Sequence, residues 1–259
     1  MAELVHLEID GAVGVIRLDR PPVNAINAAM HAQIRSAAVL ADRDPAVRAV
    51  VVRGSQRAFA AGADIKEMAD MGPREIAGYG RGLADACDAV ARIRKPVIAA
   101  ITGYSLGGGF ELALAADFRL VGESAVVGLP ELTLGVIPGA GGTQRLPRLI
   151  GVTRAKEMIF SGLPVKAEAA VAMGLASRMV PDDAVFDEAM SWAGKLASGA
   201  TVALGLAKQA IDDGLDTDLA TGLRIEGSAF AAVFGSEDQK IGMHSFVSDG
   251  PGKATFIGR

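Results

Sequence analysis

Hydrophobic and polar positions change their spacing several times along this 259-residue chain. At the start they alternate. Val5–Asp10 and Val13–Leu18 lie on either side of Gly11 and predict a β-hairpin. Asp19-Arg20-Pro21-Pro22 breaks the second strand. A helical spacing follows, with Met30, Ile34, Ala37, Ala38 and Leu40 on one side of a helix running from an Asn27 cap to about residue 41. Short apolar runs at 47–53 and 96–101 predict strands. Residues 59–68 begin as a glycine-bearing turn and become helical near Ile65. Gly72, Pro73, Gly78, Gly80 and Gly82 predict a loose connection before a helix at about 83–93. A helix at 110–116 and strands at 118–121 and 125–128 come next, and strands with short helices between them continue to about residue 180. From Pro181 the pattern is helical only, at about 183–197, 202–213 and 217–234. The expected organisation is an α/β core over residues 1–197 and a helical C-terminal part over 198–259. The tail Gly250-Pro251-Gly252-Lys253 is expected to be less ordered.

Composition narrows the classes. Half the residues are hydrophobic, only 5% are aromatic, and 32 are glycine, which fits small-residue packing with close backbone approach in an α/β fold. A net charge of -4 with both signs interspersed offers no basic face for nucleic acid. The single cysteine, Cys87, has no disulfide partner and no metal-ligand company, so no metal is expected. No apolar run approaches the ~20 residues of a membrane span, and the first residues lack a secretory pattern. The expectation is a soluble cytoplasmic protein.

The chemistry concentrates at glycine turns. Gly103-Tyr104-Ser105-Leu106-Gly107-Gly108-Gly109-Phe110-Glu111-Leu112 reads as strand, glycine turn and helix N-terminus. Free backbone N–H groups and the positive end of the helix dipole meet there and stabilise a developing negative oxygen. Glu111 falls in the first turn of that helix. Ala60-Ala61-Gly62-Ala63-Asp64-Ile65 also passes from turn to helix, so the N–H of Ala63 and that of Gly108 can make the two donors of an oxyanion hole. A plain helix cap, with Asp64 in the first turn, is the alternative for this second segment. Ile137-Pro138-Gly139-Ala140-Gly141-Gly142-Thr143-Gln144-Arg145 lacks the ending of a phosphate loop and fits no dinucleotide fingerprint. Upstream of it Glu131 stands in an otherwise apolar segment. Two carboxylates 20 positions apart, each beside a glycine turn, are candidates for paired acid–base work. Gly103-Tyr104-Ser105-Leu106-Gly107 also matches the nucleophile elbow of serine hydrolases, with His244 as the only downstream histidine. That reading leaves Glu111 and Glu131 without a role, and no His-Gly-Gly oxyanion motif accompanies it.

In this order the pieces resemble the enoyl-CoA hydratase/isomerase family, the crotonases, over nearly the whole chain. The most specific segments are 59–68, 95–114, 130–146 and Ser236-Glu237-Asp238…Gly242-Met243…Phe246. The resemblance implies a spiral of ββα repeats with a C-terminal helical part used to form trimers, or hexamers as dimers of trimers. It implies an oxyanion hole at Ala63 and Gly108 and two hydratase carboxylates at Glu111 and Glu131. It also implies a water-positioning N–H at Gly139 and coenzyme A contacts from Ala25, Ala61, Asp64 and Ile65. The expected substrate is an acyl-CoA thioester, and no cofactor is expected because coenzyme A arrives with it. An isomerase using one carboxylate and an RNA-binding relative are the alternatives within the family. The chain departs from the family pattern at Ser105, where alanine is common, and at Phe110, where a smaller residue is usual. The loop Arg20-Pro21-Pro22-Val23-Asn24-Ala25 is one residue short and lacks a frequent lysine.

Overall fold

The computed structural model describes residues 2–259. The hairpin strands β1 (Val5–Asp10) and β2 (Val13–Leu18) lead into α1 (Ala28–Arg43), β3 (Ala49–Arg53), β4 (Ala58–Ala60), α2 (Ile65–Met68) and α3 (Pro73–Ala91). Next come β5 (Val97–Ile101), β6 (Tyr104–Leu106), α4 (Gly108–Leu114), β7 (Phe118–Gly122), β8 (Val126–Gly128) and a 3-10 turn, Glu131–Leu134. The chain continues through α5 (Gly142–Ile150), α6 (Val152–Ser161), β9 (Val165–Lys166), α7 (Ala167–Ala172), β10 (Arg178–Val180) and α8 (Val185–Ala197). It closes with α9 (Thr201–Leu215), α10 (Leu219–Val233) and α11 (Glu237–Asp249).

The strands form two sheets, ordered β1-β2-β3-β5-β7-β10 and β4-β6-β8-β9. Each turn of the chain lays one strand in the first sheet, the next in the second, and then turns helical: β3-β4-α2, β5-β6-α4, β7-β8 and the 3-10 turn. This is the expected spiral of ββα units. From β2 to β10 the large sheet is parallel, and it is covered on both faces. Val50, Val52, Val97, Ala99 and Ile101 join the core under α1, α3 and α4. Val51, Ile98, Ala100 and Leu120 meet Val185, Ala189 and Ala193 of α8. A parallel strand covered on both faces carries no polar alternation, which is why Val50-Val51-Val52 and Val97-Ile98-Ala99 are unbroken apolar runs.

Two expectations need correction. Residues 72–82 are not a loose connection but the first half of one helix, α3, which starts at Pro73, with the Gly72 N–H donating to Glu75 Oε2 at 2.8 Å. Cβ atoms at Gly78 and Gly80 would meet open space. Those glycines weaken the helix without ending it, and burial of Tyr79, Leu83, Ala86, Cys87 and Val90 along one face holds it together. The C-terminal segment holds a further helix, α11, and the chain beyond it folds back. The buried Asp238 carboxylate accepts the Ile257 and Gly258 N–H groups, and Arg48 donates to Phe256 O. Between α8 and α9, Arg48 also donates to Gly199 O and Thr201 Oγ1. Lys208 of α9 pairs with Asp117. α10, in contrast, has no buried residue.

Candidate active site

β4, β6 and β8 lie side by side and parallel in the smaller sheet. Just beyond their C-terminal ends come Ala63, Gly108 and Glu131. Loops at the carboxyl ends of adjacent parallel strands converge, and ligand sites gather there.

Each of the three glycines before α4 has a separate reason. Gly107 has φ +51°, a region that favours glycine, and a Cβ there would lie 2.9 Å from Glu131 Oε1. A Cβ on Gly108 would lie 3.4 Å from the Ala63 nitrogen and 2.9 Å from Leu83 Cδ2. Gly109 packs directly on the Ala60 carbonyl, with no room for a side chain. The run thus serves one backbone turn, one close approach to Ala63 and one helix–strand contact.

The two proposed donors stand together. Gly108 opens α4, so its N–H has no acceptor within the helix. Ala63 is held by a bridge to Ile26: Ile26 N–H donates to Gly62 O at 2.8 Å and Asp64 N–H to Ile26 O at 2.9 Å. Tyr79 Oη donates to the same Ile26 carbonyl at 3.0 Å. Among the described residues neither the Ala63 nor the Gly108 N–H donates to a backbone carbonyl. Two unpaired N–H groups this close together can stabilise an oxygen that gains negative charge where both reach it.

The carboxylates have different surroundings. Glu111 is 2% exposed, and its Oε1 accepts the Ala140 N–H at 2.7 Å and the Gly142 N–H at 2.8 Å. Burial raises its pKa above the usual carboxylate range, opposed by those two N–H groups and by the charge of Arg145. Glu131 opens the 3-10 turn and is half-buried. Its Oε2 is shielded from solvent and has no hydrogen-bond partner. Burial pushes its carboxyl up to about 7; its own backbone N–H opposes the rise and the charge of Glu111 adds to it. Two carboxyls in unlike surroundings, one held by two N–H groups and one raised by burial with an unpartnered oxygen, are the kind of pair that can divide acid and base work.

The other expected residues fall in place unevenly. Gly139 is exposed just before Ala140, and its N–H has no protein acceptor among the described residues. Asp64 caps α2 and accepts Arg20 Nη2 at 2.6 Å; burial alone would raise its carboxyl, but the bonds from Arg20 and the Lys66 N–H hold it below its ordinary value. Arg20 Nη1 donates to Ala25 O at 2.6 Å, and the Ala61 N–H donates to Val23 O at 3.0 Å. Ile65 leaves its side chain 47% exposed at the head of α2. Arg20 is therefore spent on fastening this loop. Asn24 completes the fastening: buried, with φ +52°, it accepts the Arg20 N–H and donates to Ala58 O and Phe59 O on β4.

The hydrolase reading fails. Ser105 is wholly buried, its Oγ has no hydrogen-bond partner, and no base reaches it. His244 lies exposed on α11. Sequence reasoning missed Ala140 and Gly142 as the N–H groups on Glu111, and Asn24 as the loop's anchor. The Pro-Gly-Ala-Gly-Gly run was a visible signal for the first two. No group of three or more His, Cys, Asp or Glu placed to hold a metal ion occurs among the described residues. No helix among them is long and apolar enough to cross a membrane.

Known proteins share this fold. The enoyl-CoA hydratase/isomerase family matches residues 8–255. A probable enoyl-CoA hydratase of Rhizobium meliloti is 45% identical over 247 residues, covering 95% of each chain. The crotonyl-CoA hydratase of Syntrophomonas wolfei is 36% identical over 99% of each. The crystal structure of an enoyl-CoA hydratase from Bacillus anthracis superposes with a TM-score of 0.93 at 38% identity, over 99% of this chain and 100% of that one. With the same spiral, and likeness of this extent from end to end, the chain belongs to the enoyl-CoA hydratase/isomerase family.

Proposed function

We propose that the chain is a hydratase, adding water across the 2,3 double bond of a 2-enoyl-CoA thioester to give the 3-hydroxyacyl-CoA. The observation that carries this reading is the pair of unlike carboxylates beside two free N–H groups. In the mechanism the thioester oxygen lies between the Ala63 and Gly108 N–H groups. Glu111 takes a proton from water as the hydroxyl oxygen bonds to C3. Electrons move toward the thioester oxygen, whose growing charge the two donors bind more tightly than in the ground state. Glu131, protonated, delivers its proton to C2. The proton gained by Glu111 must then return to Glu131 before the next cycle. Gly139 N–H is free to hold the attacking water, and Ala25, Ala61, Asp64 and Ile65 line the expected path of coenzyme A. No cofactor enters, because coenzyme A is part of the substrate.

The crotonyl thioester is the test substrate, in keeping with the name of the Syntrophomonas relative. Loss of the enoyl thioester absorbance should be fast with the unaltered protein. Glu111→Gln and Glu131→Gln should each slow it by ~10²–10⁴-fold while binding of the thioester survives. Full activity in either variant would leave one working carboxylate and favour the isomerase.

We also propose that the helical C-terminal part joins subunits into a trimer or hexamer. Leu219, Leu223 and Phe230 of α10 are 79%, 56% and 66% exposed, an apolar face of the kind that marks an interface. A monomer mass by light scattering at micromolar concentration would defeat this.

A further inference from the structure

We infer that Arg145 is a positioning residue for Glu111, locking the loop whose two N–H groups hold that carboxylate. The inference rests on the proposed hydration at Glu111.

The Ala140 and Gly142 N–H groups that bind Glu111 Oε1 belong to peptide units on either side of a third, the one joining Ala140 to Gly141. For both N–H groups to converge on one oxygen, the carbonyl of that middle unit must point away, as in other backbone nests for anions. Arg145, in the first turn of α5, holds it there: Nη1 donates to Ala140 O at 3.2 Å. Nη2 pairs with Asp88 Oδ1 on α3, which fixes the guanidinium plane. Gly141 makes the path possible. It has φ +114°, and a Cβ on it would collide with Arg145 Nη1. Without the guanidinium the middle unit is free to rotate, and its carbonyl oxygen could turn toward the carboxylate and repel it.

The arrangement also sets charge. Arg145 is the cation acting on Glu111. The other ionisable groups around it are Glu131 from the 3-10 turn and Cys87 and Asp88 from α3; β4 contributes none. The Cys87 thiol is buried and held neutral, and Asp88 is paired with Arg145. Removing the guanidinium therefore makes Glu111 harder to ionise, and a base that must be ionised then works only at higher pH.

Arg145→Gln, Arg145→Lys, Asp88→Asn, Glu111→Gln and the double variant Glu111→Gln/Arg145→Gln are compared in crotonyl-CoA hydration from pH 5 to 9. Arg145→Gln should lower kcat about tenfold or more with KM nearly unchanged, the pattern of misplaced catalytic geometry, and should move the acid limb of kcat upward. Arg145→Lys should restore the acid limb but only part of kcat, since an ammonium lacks the planar fork. The double variant should be no slower than Glu111→Gln alone. A wild-type kcat and acid limb in Arg145→Gln, beside an inactive Glu111→Gln, overturns this inference alone. Wild-type activity in Glu111→Gln overturns the hydration reading itself. Where Arg145→Gln does not fold, Asp88→Asn decides: it removes an exposed tether of small worth to stability, and an unchanged kcat in it overturns the proposal.

Discussion

Glu111 and Glu131 are the same residue type, within reach of each other's charge, and yet they occupy different environments. Glu111 grows from a regular helix into a nest of two N–H groups, almost without access to solvent. Glu131 stands at the head of a single 3-10 turn, with one oxygen buried and unpartnered. Both are raised by burial, but Glu111 has two N–H donors and the charge of Arg145 to favour its anion, whereas Glu131 has only its own backbone N–H. Paired carboxylates divide acid and base roles by such inequality, since the group with more donors ionises first. Because they interact, the two titrate as a pair, and measured values belong to both.

The strongest test of this comparison is the pH profile of the two Glu→Gln variants, each ~10²–10⁴ below wild type. Wild-type kcat should fall on the alkaline side as Glu131 loses its proton near 7. That limb should vanish in Glu131→Gln and persist in Glu111→Gln; the reverse result would exchange the two roles.

A subtler perturbation uses the glycine that makes room for each carboxylate. A Cβ at Gly107 would stand 2.9 Å from Glu131 Oε1, and one at Gly142 3.0 Å from Glu111 Oε1. Gly107→Ala should displace the acid and Gly142→Ala the base, each costing roughly 10²-fold in kcat. Gly107→Ala should also lower the melting temperature, because alanine at φ +51° is strained.

The difference extends to stability. The folded-state pKa of Glu131 lies above its value of about 4.5 in an unfolded chain, so folding favours the protonated form. Its contribution is whole below about 4.5, and is lost as pH rises through about 7. Glu131→Gln should therefore melt at the wild-type temperature near pH 4 and several degrees above it at pH 8, at about 2–4 °C for each kcal/mol relieved. A variant less stable than wild type at pH 8 would contradict the unpartnered burial of this carboxyl. The smallest effect belongs to Ser105. Its buried hydroxyl makes no bond, so Ser105→Ala should leave activity unchanged and stability equal or higher by up to about 1 kcal/mol.

Much of this was legible beforehand. The β1–β2 hairpin was readable to the residue, because alternation and a glycine turn act locally. The two carboxylates and the two N–H groups could be singled out because each stands beside a glycine turn. The first half of α3 was misread because glycine lowers helix propensity everywhere, whereas Tyr79 and Leu83 gain their burial only from partners distant in sequence. The Glu111 nest was hidden for a related reason. Its donors lie 29 and 31 positions downstream, and nothing local says which way an N–H will face.

The spiral has a consequence for how the protein comes to be active. Ala63, Gly108 and Glu131 belong to three successive turns, and no turn holds more than part of the proposed machinery. Parallel strand neighbours are remote in sequence, so loops must close before their contacts are gained, and such topologies fold slowly. The turn that presents the Gly108 N–H is itself tied to β8, since the Gly107 N–H donates to Gly128 O. The proposed acid, Glu131, arrives just after β8, and the two N–H groups that hold Glu111 come with the loop after it. On the proposed reading a partly folded chain would therefore lack the complete site, and catalytic competence becomes a late marker of folding.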